Sequence, residues 1–398
     1  MTTHIVTTQK AAPSMLSSAI KAAAAAIGPA RIGLALILIA VIFQSLNQNF
    51  LSPANLSNLI LQIVPIAMIS IGIVLVLLLG EIDLSAGAVS GLAGAILAVS
   101  MVKWGWHPYA SIATALLVGA TIGFLHGLAI VSLRLPSFIV TLAGLMAWQG
   151  AQLLTLTGKG TIIVRAPEVV SLATVFLPHF VSIGGVAIVL AAYAFLQFAR
   201  RVEQRNAGVE VEALARLLLK VVGVSVLTVV VLAVLLMDRG VPVGFLVVIS
   251  TILLINYVLA GSSYGRHLLA VGGNSESARR VGIPVNRIKV AAFAAGSTLA
   301  AAGGILAVSR LQAATQSAGG SDLLLLAIAG PVIAGVSLFG GRGSVWGALV
   351  GAILIGGISN GMDLLGLDAS IKYLITGGVL FLAVALDALA RMRRLRLG

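Results

Sequence analysis

The chain has 398 residues, 59% of them hydrophobic and 9% charged, with a mean hydropathy of +1.11. Soluble domains carry about 25% charged residues, so an assembly of water-soluble domains is excluded and the class indicated is an all-α polytopic membrane protein. The absence of cysteine excludes disulfides and thiolate chemistry. The net charge of +13 means nucleic acid in a soluble chain or cytoplasmic loops in a membrane protein, depending on where the charges lie.

Residues 1–31 hold Lys10, Lys21 and the run Ala22–Ala26. This polar leader is too long for a signal peptide and no small-x-small cleavage site follows the first apolar stretch, so a cytoplasmic N-terminal segment is expected. Apolar spans follow at about 32–46, 56–79, 84–102, 110–132, 136–155, 183–199, 217–237, 243–261, 288–308, 323–339, 345–362 and 371–390. A bilayer crossing takes about 20 such residues, so about twelve transmembrane helices are expected in a single domain over 32–390, with a basic cytoplasmic tail at 391–398. With the N-terminus inside, nineteen of the 25 basic residues fall in cytoplasmic segments, and only Lys103, Lys159, Arg165, Arg239, Arg310 and Lys372 fall outside. That bias sets orientation: both termini are expected in the cytoplasm, and the basicity needs no nucleic acid.

Small residues at four-residue spacing let helix backbones approach closely in lipid. Gly87/Gly91/Ala95, Gly119/Gly123/Gly127 and Gly343/Gly347/Gly351 each form such a stripe, expected to pack within the chain. The segment 91–97 echoes 348–354, a weak sign of the internal repeats on which transporters are often built.

The inside loop 262–289 reads as a short bounded helix over about 275–281. Asn274 is an N-cap, Glu276 suits the positive end of the dipole, Arg279 and Arg280 suit the negative end, Gly282 takes the left-handed C′ position, and Pro284 forbids continuation. So short a helix is unstable alone in water and must rest on its own domain or on a partner, while Gly272 and Gly273 are expected to let the loop turn sharply. Glu81 and Asp83 stand at the cytoplasmic end of a span, where a carboxylate needs a partner or water. Two readings stand for them: a gate or helix break, or a cap on a helix beginning at Leu84. Trp148, Gln149, Gln152, Asn256, Asn360 and Asp363 are polar or aromatic groups in spans, either bonded to neighbouring helices or lining a pathway for a polar solute. His126, beside a glycine stripe, is expected to serve packing. Trp104, Trp106, Tyr109 and Lys103 read as interfacial anchors. The near-match to a phosphate loop at 157–161 lacks its first glycine and the hydroxyl residue after the lysine, so no ATP hydrolysis, catalytic residue, metal or bound cofactor is expected of this chain.

Four ordered motifs carry a family resemblance. They are Gly80-Glu81-Ile82-Asp83-Leu84-Ser85-Ala86-Gly87, Leu135-Pro136-Ser137-Phe138-Ile139-Val140-Thr141-Leu142, the loop with Gly265, Arg266, Gly272, Gly273, Asn274, Arg279 and Gly282, and the pair 335–343 and 360–366. The chain resembles the permease subunits of ribose/xylose/galactose-type ABC sugar importers, nearest to the xylose type, which shares the Glu81 position, a Gly240-Val241-Pro242 and extra length in the middle. The resemblance implies a type II importer-like core of ten helices plus a two-helix insertion at 183–199 and 217–237. It also implies a bacterial inner-membrane location and a coupling role for the 262–289 loop. The implied partners are a second permease copy, two ATPase subunits or one tandem ATPase that binds the ATP and Mg, and an extracytoplasmic sugar-binding protein. Leu324, Leu325 and Leu326 stand where relatives usually carry Glu-Leu-Asp. The rival readings are an ion-coupled secondary transporter, which usually needs a mid-membrane ionisable group, and an intramembrane enzyme, for which no paired acid–histidine spacing exists.

Overall fold

The computed structural model describes residues 32–157, 160–208, 211 and 213–396, as backbone alone at 383, 384 and 386–396. The N-terminal segment 1–31, and Gly158 with Lys159 of the near-match to a phosphate loop, lie outside the described residues. In chain order the elements are α1 (Ile32–Leu46), α2 (Pro53–Leu78), α3 (Ala86–Val102), α4 (Pro108–Leu133), α5 (Ser137–Thr155), β1 (Thr161–Ile163), α6 (Pro167–Thr174), α7 (His179–Asn206) and α8 (Leu214–Leu236). There follow α9 (Val243–Gly261), α10 (Ser263–Gly273), α11 (Ser275–Arg280), α12 (Val285–Leu311), β2 (Ala313–Thr315), α13 (Ser321–Ile333), α14 (Trp346–Leu364) and α15 (Ala369–Arg396).

Each of the twelve apolar stretches coincides with one apolar helix. Among the described residues eight of these, α2, α4, α5, α7, α8, α9, α12 and α14, are long and apolar enough to cross a membrane, while α1, α3, α13 and the apolar part of α15 are shorter. One informative departure is α13, expected to reach 339 but ending at Ile333. Gly335 takes φ +91° and donates its N–H to Val332 O, and Val336 donates to Pro331 O, both at 2.9 Å. This is a glycine-terminated Schellman end. Hydropathy alone could not register it, because the loop that follows is as apolar as a helix. The glycine was the available signal.

The core is built on α2 and α12. Nineteen residues of α2 are buried, and α12 lies against α2, α3, α4 and α6. Close backbone approach makes this possible. A Cβ on Gly119 would stand 2.8 Å from Ser297 O, one on Gly123 2.7 Å from the Phe293 carbonyl carbon, and one on Gly127 2.7 Å from Val290 Cα, so the α4 stripe is the face seated on α12. Gly87 likewise meets the chain at Gly319, and Gly351 meets Gly330 of α13. These stripes pack within the chain, as expected from their spacing. The helices α7 and α8, which correspond to the expected two-helix insertion, lie against each other, and α8 touches α2. Their apolar side chains face outward, Phe180 at 78% and Phe195 at 71% exposure, as suits surfaces solvated by lipid.

The two ends of the bundle differ. One carries β1 and β2, paired antiparallel with Thr161 opposite Thr315; here Trp104, Trp106 and Tyr109 are exposed. The other carries the segments 79–85 and 334–345 together with α10 and α11. The echoing stretches 91–97 and 348–354 lie in α3 and α14, each preceded by one of those two segments.

Candidate functional site

The helix pair α10–α11 is bounded by side chains at every turn. Ser262 caps α10, accepting from Gly265 N–H at 3.2 Å. Asn274 has extended backbone, closes α10 and opens α11, its Oδ1 accepting from Ser277 N–H at 2.9 Å. Glu276 and Arg280 pair at 3.1 Å one turn apart, both highly exposed. At the end of α11, Gly282 takes φ +85° and donates to Arg279 O at 3.0 Å, while Ile283 donates to Ala278 O at 3.1 Å, a second Schellman end. The expected helix 275–281 is thus found at 275–280. Of its side chains Ala278 is buried, so Glu276, Arg279, Arg280 and the following Val281 face outward. Arg266 is also exposed on α10.

One expectation fails here. Gly272 and Gly273 do not turn the loop; they are the last residues of an 11-residue helix, α10, which the sequence reading missed. Gly272 is needed for contact: a Cβ there would stand 2.7 Å from Gly341 N and 2.9 Å from the Leu78 carbonyl carbon. The end of α10 is therefore wedged between the C-terminus of α2 and the 334–345 segment, which are themselves joined by Gly341 N–H donating to Leu78 O at 2.9 Å. Burial against α2 and its neighbours pushes the Tyr264 hydroxyl of α10 up to about 12, so that side chain stays neutral.

The Glu81–Asp83 stretch lies beside this wedge, and the structure resolves its two readings in part. Helix α3 begins at Ala86, not Leu84. Asp83 is 3% exposed, and its Oδ1 accepts from Ser85 N–H at 2.8 Å and Ser85 Oγ–H at 2.6 Å, bracing the N-cap residue. Glu81 forms a largely buried ion pair with Lys289 of α12. The second motif grips the first: Ile82 N–H donates to Ser137 Oγ at 3.2 Å and Leu84 N–H donates to Thr141 Oγ1 at 3.1 Å. Behind them Ser85 Oγ stands 3.4 Å from His126 Nδ1, and Trp148 Nε1–H donates to His126 Nε2 at 3.1 Å. The motifs at 80–87, 135–142, 265–282 and 335–343 thus meet at one end of the bundle. Sequence spacing gave no sign of the Lys289 pair or of the Ser137 and Thr141 contacts.

At the β-strand end, α2, α12 and α14 border an open cavity of about 440 Å³ lined by Asn55, Asn58, Leu61, Gln62, Arg310, Asn360, Asp363 and Leu364, of which Arg310 and Asp363 are exposed. Asn360 and Asn55 exchange amide hydrogen bonds at 2.7 and 3.1 Å, and Asn360 also donates to Gln62 Oε1 at 3.4 Å. Asp363 accepts from Lys372 Nζ at 2.5 Å. Of the candidate pathway residues, Asn360 and Asp363 line this cavity and Trp148, Gln149, Gln152 and Asn256 do not. Gln152 is buried and donates its amide to Thr315 O at 3.0 Å and Ala318 O at 2.9 Å, holding the segment between α12 and α13. Gln149 on α5 and Asn256 on α9 are half-buried. Leu324 is buried against Gly87, Leu325 is exposed and Leu326 is half-buried, so the three leucines lie away from the cavity.

An apolar helical bundle with a polar, solute-sized cavity at one end and a capped helix pair wedged at the other suits the membrane domain of a transporter, and similarity to known proteins shows that class. The chain belongs to the family of branched-chain amino acid transport system permease components, whose profile matches residues 55–384, and within it to the permeases of the ribose/xylose/galactose-type ABC sugar importers. It is 35% identical over 350 residues to the xylose transport system permease protein of Escherichia coli, covering 86% of this chain and 87% of that one. The corresponding Haemophilus influenzae protein is 34% identical over 340 residues, 85% of this chain and 90% of its own. The ribose import permease protein of Bacillus subtilis is 30% identical over 354 residues, 89% and 91%. No solved structure matches the chain.

Proposed function

We propose that this permease carries a monosaccharide, xylose or a similar pentose or hexose, into the cytoplasm of a bacterium, driven by ATP hydrolysis on a separate subunit. The similarity to xylose permeases over 86% of the chain carries the choice of substrate. In this reading the chain crosses the plasma membrane twelve times with both termini inside, as the basic-residue bias favours. It pairs with a second permease copy around the pathway and receives sugar from an extracytoplasmic binding protein.

The helix pair α10–α11 docks on the ATPase, either two subunits or one tandem chain. Its outward charges, Glu276, Arg279 and Arg280, suit a polar partner, and its inner end meets the backbone of α2 and of the 334–345 segment at Gly272. A push on α11 is thereby delivered to the two segments that precede α3 and α14, and closure of the ATPase biases the membrane domain between outward-open and inward-open states.

The test is uptake of radiolabelled xylose into proteoliposomes holding the permease, its ATPase and the binding protein. Uptake is expected to require internal ATP and to survive collapse of the proton and sodium gradients. Gradient-dependent uptake at constant ATP would instead identify an ion-coupled carrier, and ATP-dependent uptake of another solute with none of xylose would correct the substrate.

A further inference from the structure

We infer that the cavity between α2, α12 and α14 is a low-affinity sugar-transfer site at the extracytoplasmic mouth of the permease, with Arg310, Gln62, Asn58 and Asp363 as its ligating groups. The inference rests on the sugar-permease reading above and adds a binding site to it. Asn58, Leu61 and Gln62 sit on the first turns of α2, Arg310 on the last turn of α12, and Asp363 and Leu364 on the last turn of α14. Alternating helix directions thus gather three helix ends at one level of the bundle.

The polar capacity of the cavity is only partly used. The Asn55–Asn360 pair satisfies itself and fixes the wall. Asn58 Oδ1 accepts from Arg239 at 2.8 Å, which leaves its amide N–H groups without a partner among the described residues. Gln62 likewise keeps its amide donors, Asp363 keeps one carboxylate oxygen, and Arg310 makes no hydrogen bond or ion pair among the described residues. These planar donors and acceptors match vicinal hydroxyls, each of which both donates and accepts.

Arg310 and Asp363 are the charged lining groups, and because Asp363 is already paired with Lys372, the site offers a cationic donor beside neutral amides. Among the described residues the apolar lining groups are Leu61 and Leu364, too little to select a branched aliphatic side chain. None of the described lining residues is aromatic, so they offer no stacking surface of the kind that tightens a pocket. A volume of about 440 Å³ falls within the range of small-molecule sites. Weak hydrogen-bonded capture suits a place where solute must arrive and leave quickly.

The cysteine-free chain allows a direct test. Gln62→Cys and Asn58→Cys, made one at a time, are to be labelled in intact cells with a membrane-impermeant thiol reagent. Both are expected to react, and 100 mM xylose is expected to slow the reaction at least threefold while 100 mM leucine does not. Equal rates with and without xylose, protection by leucine alone, or no labelling in intact cells would overturn the site. In the proteoliposome assay, Arg310→Gln and Gln62→Ala are expected to lower the rate of xylose uptake at least fivefold per mole of inserted permease. Unchanged uptake in both variants would also overturn it. Loss of xylose uptake in the unsubstituted protein would instead strike the substrate reading, whereas the labelling result stands apart from ATP.

Discussion

Two adjacent glycines at the end of α10 separate local helix preference from tertiary contact. An alanine at Gly272 places a methyl 2.7 Å from Gly341 N and 2.9 Å from the Leu78 carbonyl carbon, whereas at Gly273 a Cβ meets nothing within 4 Å. Both replacements gain helix propensity, at most about 0.5–1 kcal/mol. Gly272→Ala must also move backbone by roughly 1 Å to reach ordinary contact, an overpacking cost of about 1–3 kcal/mol. The same movement strains the 2.9 Å bond from Gly341 N–H to Leu78 O, whose loss costs about 1 kcal/mol more. The net expectation is about 1–3 kcal/mol against the docked position of α10, enough to change its population by about five- to 150-fold. Gly272→Ala should therefore still insert but lower ATP-driven uptake several-fold, with a few degrees' loss in detergent melting temperature. Gly273→Ala should match the parent protein in both measurements. Equal behaviour of the two variants would refute the claim that the end of α10 transmits movement through this contact.

Three further outcomes follow from the same reasoning. Gly123→Ala, on the α4 stripe against Phe293, should lower the melting temperature, and Gly150→Ala, where a Cβ meets nothing within 4 Å, should leave it equal or higher. The Glu81–Lys289 pair, whose side chains are 17% and 21% exposed, should show coupling in a double-mutant cycle: Glu81→Gln and Lys289→Met each cost about 1–3 kcal/mol, and the double variant costs less than their sum. Replacing Arg280 or Glu276 by alanine should alter stability by less than about 1 kcal/mol, since their bond is exposed, while uncoupling uptake from ATP hydrolysis. Normal uptake in both variants would remove α11 from the coupling path.

The limits of α11 were legible because caps are local chemistry. Asn274, Gly282 and Pro284 act within a few residues of themselves, and the helix lies within one residue of the expected span. Helix α10 was not legible, because its two terminal glycines read as a turn until their contact with Leu78 and Gly341 is known. The end of α13 fell between these cases. Gly335 was a valid stop signal, but the run of apolar residues around it outweighed one glycine in any reading based on hydropathy.

The sequence by itself determined a membrane protein of twelve apolar helices, the glycine stripes on which they pack, and the family, because composition, periodicity and short motifs are properties of neighbouring residues. Only the tertiary structure decided what the motifs touch. It joins Glu81 to Lys289 across 208 positions and Asn55 to Asn360 across 305, and it gathers Arg310, Gln62 and Asp363 around one cavity. Such partners are chosen by how helices run back and forth through the bundle, which brings distant helix ends to one level, and no local pattern encodes that distance.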